Sequence, residues 1–179
     1  IYSQFLNSDM IRIIAECAQG YYQKNYQESI DLAKMLVRVS KASGADAVKF
    51  QLILARELCT YDYEYHDLFS KLEIGENGWQ IVCDVAKELN IEIMFDIFGL
   101  ESLKLAESLG IKTIKIHPTD FRNRALLKAV CNSNKIHNVI AGCGGSLSNE
   151  ITDTLKIFNN KKYLTLLHGF QGYPTPFNE

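Results

Sequence analysis

Two lysines stand where buried strand residues are expected. Lys49 lies between Val48 and Phe50 in ADAVKFQ, and Lys115 lies between Ile114 and Ile116 in KTIKIHPTD. An ammonium withdrawn from water is costly unless an anion sits beside it. Two such residues in corresponding places point to anionic partners, either neighbouring carboxylates or an anionic substrate. Side chains alternate along a strand, so Lys49 shares a face with Gln51, and Lys115 shares one with His117. Asp96 and Glu16 stand at the carboxyl ends of two further strand candidates. Charge-assisted contacts from two lysines suit an anionic substrate. The plainer reading of Glu16 is a counter-ion for one lysine. That of His117, which precedes Pro118, is a strand-end ring hydrogen-bonded to a loop.

The elements that must position these residues are short and regularly interrupted. Strand candidates run over 11–16 (IRIIAE), 45–51 (ADAVKFQ), 91–96 (IEIMFD), 113–117 (TIKIH), 138–141 (NVIA) and 163–168 (YLTLLH). Helical spacing links Ile30, Ala33, Leu36 and Val37, and again Trp79, Val82, Val85, Ala86 and Leu89. It recurs in Leu100, Leu103, Ala106 and Leu109, and further helices are expected over 123–131 and 148–158, the last with Ser148 as N-cap. Strand and helix alternate five times before the sixth strand, the signature of a parallel α/β architecture. The exception is the long second connection, 52–75, rich in tyrosine and acidic residues; long loops of this kind are commonly functional.

A doubly wound sheet is expected to carry a glycine-rich turn after its first strand, but AECAQGYYQKNYQE holds only Gly20. The expectation is therefore an incomplete (β/α)8 TIM barrel, with about five βα units and a sixth strand in a single domain over 1–179. A whole barrel takes roughly 250 residues, which would put two more units beyond Glu179. Barrel active sites lie at the carboxyl ends of the strands. Glu16, Lys49, Gln51, Asp96, Lys115 and His117 would meet there.

Composition removes other classes. A net charge of −2 with no basic run argues against nucleic acid. No apolar stretch approaches the ~20 residues of a membrane span, and the start, IYSQFLNSDM, lacks signal-peptide character. Five cysteines without a CxxC pair read as reduced thiols of a cytoplasmic protein. His66 and His137 lie in polar stretches and are expected to be solvated, and His168 has no second ligand at metal spacing. AGCGGSLSNE has glycines that would let backbone amides approach a phosphate, though a flexible turn explains the same letters.

The segments IIAECAQ, SGADAVKFQ and LLHGFQGYPTP, with IKIHPTDFRNRALLKAV at the fourth strand, resemble the sialic acid synthases, or N-acetylneuraminate synthases. The likeness runs in order over about residues 11–179. It implies a barrel that condenses phosphoenolpyruvate with an N-acetylated amino sugar to give a nonulosonic acid and phosphate. On that resemblance Glu16, Lys49 and Lys115 form the catalytic set, with the lysines on the phosphate and carboxylate of phosphoenolpyruvate. Gln51, Asp96, His117, Asp120, Gly142, Gln171 and Tyr173 line the substrates, with Glu16 and Gln51 facing the sugar. The resemblance also implies a divalent metal (Mn or Mg) held by ligands outside this chain, a homodimer as an assembly open to the full-length form, and no activity for this chain alone. Departures from the family pattern are Gly20-Tyr21 at its Asn-His, Asp96 at a Thr, and Pro118 and Gly142 each at a Ser. Two other readings are a Schiff-base aldolase using Lys115 or Lys49 as nucleophile, and a non-catalytic sugar-binding barrel.

Overall fold

Six parallel strands lie side by side in the order in which the chain makes them. They are β1 (Ile14–Ala18), β2 (Ala47–Gln51), β3 (Glu92–Ile97), β4 (Thr113–Ile116), β5 (Asn138–Gly142) and β6 (Tyr163–Leu167). The computed structural model describes residues 11–158 and 163–169. A doubly wound sheet reverses its strand order part-way; this one never does. Right-handed crossovers that always advance in one direction carry the long connecting helices to one face of the sheet. The result is the wall of an incomplete (β/α)8-type barrel, helices outside and the second face turned inward.

The helices form where the apolar spacing requires. In α1 (Tyr26–Ala42), the Asn25 side chain accepts from the amides of Gln27 and Glu28, and Ile30, Ala33 and Val37 are buried. Gly44 follows with φ +84°, a left-handed exit that glycine adopts without steric cost. In α4 (Gly75–Glu88), Trp79, Val82, Val85 and Ala86 face the sheet. Helices α5 (Leu100–Ser108), α6 (Arg124–Asn132) and α7 (Ser148–Phe158) follow β3, β4 and β5. Asn123 caps α6 by accepting from the Leu126 amide at 3.2 Å, and Glu150 reaches back to the Leu147 amide at 2.8 Å ahead of α7. Tyr21, Phe50, Trp79 and Phe95 form the centre of the outer core, with Trp79 4.8 Å from Phe95 and 5.0 Å from Tyr21 in edge-to-face contacts.

Three expectations are corrected. The first strand starts at Ile14, not at residue 11, because pairing with β2 begins at Ile14 opposite Ala47. Ile11 and Ile13 look like strand residues but are 90% and 56% exposed among the described residues. The connection 52–75 is structured, with α2 (Ala55–Leu58) and α3 (His66–Lys71) inside it. The Tyr21 hydroxyl donates to the Leu72 carbonyl at 2.8 Å, and Ile53 and Leu72 pack on Phe98. Glu57 accepts from the Glu101 and Ser102 amides at 2.6 and 3.0 Å, tying α2 to the start of α5. His66 is consequently not solvated: it begins α3 and packs on the Tyr61 ring at 4.8 Å. His137 is exposed as expected.

Candidate active site

The strand phase places Glu16, Lys49, Asp96 and Lys115 on the inward face, and the side chains meet. Asp96 is the hub. Its Oδ1 accepts from the Lys49 ammonium at 2.7 Å and its Oδ2 from the Lys115 ammonium at 2.6 Å. Lys49 also pairs with Glu16. Asp96 is 2% exposed, Lys49 6% and Lys115 12%, whereas Glu16 is 52% exposed at the rim. The two amines thus come from different strands to opposite oxygens of one carboxylate. No buried side-chain nitrogen or oxygen is left without a partner among the described residues, which is what burial of charge demands.

Glu16 owes its position to an irregularity that the letters do not announce. The register of β1 against β2 slips between Glu16 and Ala18, so that Glu16 opposes Lys49 and Ala18 opposes Phe50. Ala18 takes φ +43°, unusual for a residue with a Cβ, and its amide donates back to Glu16 Oε1 at 3.0 Å. This bulge ends the strand and holds the carboxylate toward Lys49. Bulges of this sort commonly re-aim a side chain beside a site. Gln51 accepts from Gln19 Nε2 at 2.7 Å, next to the same strand end. Gln19 and the left-handed Ala18 are site features that spacing alone misses; nothing in the letters marks Ala18.

His117 and Asp120 occupy the turn after β4, where residues 118–120 form one 3-10 turn. His117 Nδ1 lies 2.9 Å from the Thr119 hydroxyl, and the ring leans on Phe98 with centroids 5.7 Å apart. The strand-end reading of this histidine therefore holds. Partial burial pushes its imidazole below the ordinary value, and the Lys115 ammonium pushes the same way against the pull of Asp96 and Asp120. Asp120 accepts from Thr119 and from Asn123. Gly142 ends β5 against Pro118: a Cβ at 142 would stand 2.7 Å from Pro118 Cγ. The two positions are thus matched to each other, and the bare glycine is required by the ring above it. Gln171 and Tyr173 lie outside the described residues.

Among the described residues no group of three or more His, Cys, Asp or Glu side chains could hold a metal ion. The described inner face thus supplies no complete set of metal ligands by itself. No helix among them is long and apolar enough to cross a membrane. A separate cleft of about 220 Å³ between α6 and α7 is lined by charges that pair with one another, Arg122 with Glu150 and Arg124 with Asp153.

Residues 36–179 match the model of the NeuB family. The chain belongs to the NeuB family. It is 30% identical over 173 residues to the N,N'-diacetyllegionaminic acid synthase of Campylobacter jejuni, covering 87% of this chain and 51% of that protein. The protein of the same name from Legionella pneumophila is 30% identical over 174 residues, covering 87% and 49%. Among solved structures, the N-acetylneuraminic acid (sialic acid) synthetase of Leptospira borgpetersenii, determined in complex with citrate, superposes with a TM-score of 0.83 at 26% identity. That match covers 95% of this chain and 57% of the other. The chain spans about half the length of the curated relatives it matches.

Proposed function

We propose that this chain forms the phosphoenolpyruvate-binding part of a sialic-acid-type synthase, within one barrel domain, and that the whole protein joins phosphoenolpyruvate to an N-acetylated amino sugar. The observation that carries the reading is the convergence of Lys49 and Lys115 on one point of the inner face. Two buried ammonium groups that close together suit a small, multiply charged anion. In this reaction the enol carbon forms the new bond to the sugar aldehyde carbon, whose oxygen takes a proton. Water adds to the resulting oxocarbenium carbon, and collapse of the adduct breaks the carbon–oxygen bond to phosphate, leaving a 2-keto acid.

In this reading the lysines orient the phosphate and carboxylate of the donor. Glu16 and Gln51 face the acceptor from the rim, and His117 and Asp120 border it from the turn after β4. A divalent cation, Mn or Mg, belongs to the proposal with ligands outside this chain; it would polarise the aldehyde, and none of the residue roles above depends on it. The Schiff-base alternative has less support. Its nucleophilic lysine must be a free amine, whereas both lysines here donate to a carboxylate.

The test is incubation of the full-length protein with phosphoenolpyruvate, a panel of N-acetylated amino sugars and manganese. Phosphate release that requires the sugar, with a nonulosonic acid as product, is the expected result. Lack of turnover across the panel favours a non-catalytic sugar-binding barrel, and a borohydride-trapped adduct with pyruvate favours the aldolase.

A further inference from the structure

We propose that Asp96 is an internal competitor for the anion, one that lowers the affinity of the lysine pair for phosphate-bearing ligands. The proposal deepens the phosphoenolpyruvate reading and rests on it for the identity of the natural anion. The geometry supplies its basis. Both oxygens of one buried carboxylate are spent on the two ammonium groups, at 2.7 and 2.6 Å. These are the bonds that the oxygens of an incoming anion would otherwise make. Charge counting points the same way. Lys49 and Lys115 contribute two positive charges, and Asp96 and Glu16, joined to them in one ion-paired group, contribute two negative ones. A site balanced in this way exerts little net pull on an anion, and an entering phosphate must take over hydrogen bonds that Asp96 already makes or share the lysines with its charge.

The surroundings keep Asp96 in place. Its backbone carbonyl accepts from the Leu52 amide at 3.0 Å, and β3 is held on both sides, by β2 and by β4. The carboxylate is therefore part of the buried wall of the site, unlike Glu16, which is half exposed at the rim.

The experiment measures binding of two probes, inorganic phosphate and phosphoenolpyruvate, to the full-length protein by calorimetry, comparing wild type with Asp96→Asn and Asp96→Thr. Asparagine keeps the shape and removes the charge; threonine also removes the bulk. Both variants are expected to bind inorganic phosphate roughly tenfold or more tightly than wild type, and Lys115→Met in the D96N background is expected to abolish the gain. Unchanged or weaker phosphate binding in both variants overturns the competitor role. If phosphate binding tightens while phosphoenolpyruvate fails to bind any form, the competitor role stands and the substrate reading falls. A variant that folds only when phosphate is added supports the proposal, because the anion then replaces the missing counter-ion. Should neither variant fold under any condition, the wild type decides: the Asp96 carboxyl carbon resonance is expected to move as phosphate is titrated to saturation, and a stationary resonance overturns the proposal.

Discussion

Val48, Phe50 and Phe95 point from the sheet toward the helices, while Lys49 and Asp96, their neighbours in the chain, point the other way. One face is stabilised by shape. Tyr21, Phe50, Trp79 and Phe95 interlock with centroids 4.8 to 6.4 Å apart, and nothing there depends on charge. The other face is stabilised by a count: two ammonium groups against two carboxylates, each bound to at least one of opposite sign. The same strands thus carry two kinds of constraint in alternate residues. Volume-conserving changes should be tolerated outside, and charge-conserving changes inside.

The largest effect is expected on the outer face. Trp79→Ala removes the ring that touches Tyr21, Phe50 and Phe95 and leaves a cavity that close-packed aromatic neighbours cannot fill. A loss of about 3–5 kcal/mol is expected, read from the urea midpoint of the full-length protein, with Trp79→Phe costing much less. A similar loss from both substitutions would mean that volume is not what holds this face.

Next comes the inner hub. Asp96→Ala leaves Lys49 with Glu16 alone and removes the carboxylate that Lys115 donates to, so a loss of about 3 kcal/mol is expected, at the lower end for breaking a buried pair. Adding Lys115→Met restores the balance of one ammonium to one carboxylate and should recover most of the loss. If the double variant is as unstable as the sum of its parts, counting charges is the wrong description of this face.

A third, smaller effect concerns the packing of the end of β5 on the turn after β4. Gly142→Ser puts a Cβ 2.7 Å from Pro118 Cγ, and overpacking of this kind costs about 1–3 kcal/mol. Pro118→Ala should relieve most of it in a double-mutant cycle. Additive losses would show that the two positions are not matched.

The contrast also explains what the letters could show. Period-two alternation in AVKFQ and IEIMFD assigns each residue to a face, and both faces were legible because each has its own chemistry. The strand order was legible through the missing glycine-rich turn and the repeated alternation. The start of β1 was not: Ile11 and Ile13 have strand character, but the ladder with β2 begins only at Ile14 opposite Ala47, and the Ile13 amide goes instead to the Asp46 side chain. Nor was the bulge at Ala18, since alanine carries no mark of a left-handed backbone. Tyr21 reads as a departure within a site motif, yet its ring is wholly buried and its hydroxyl fastens Leu72. The meeting of Asp96 with both lysines depended on distances between strands, which phase alone leaves open.

The smallest effect, and the finest test of the contrast, is the response of the inner rim to pH. His117 touches Phe98 on one side, while Lys115, Lys49, Asp96 and Asp120 supply the charges around it. Burial and then Lys115 hold its imidazole below the ordinary value, so the folded protein resists a proton that the unfolded chain accepts near pH 6.5. The unfolded state therefore binds more protons as pH falls through that value, and stability contributed by the neutral ring, fully present above it, is lost below it. Wild type should lose more stability than His117→Asn between pH 7 and about pH 5.5, with His66, His137 and His168 common to both proteins. The difference between the two urea midpoints isolates this one ring. A difference of opposite sign would mean that Asp120 and Asp96 hold His117 as a cation, which would add a positive charge to the inner face and upset the two-against-two balance on which its description rests.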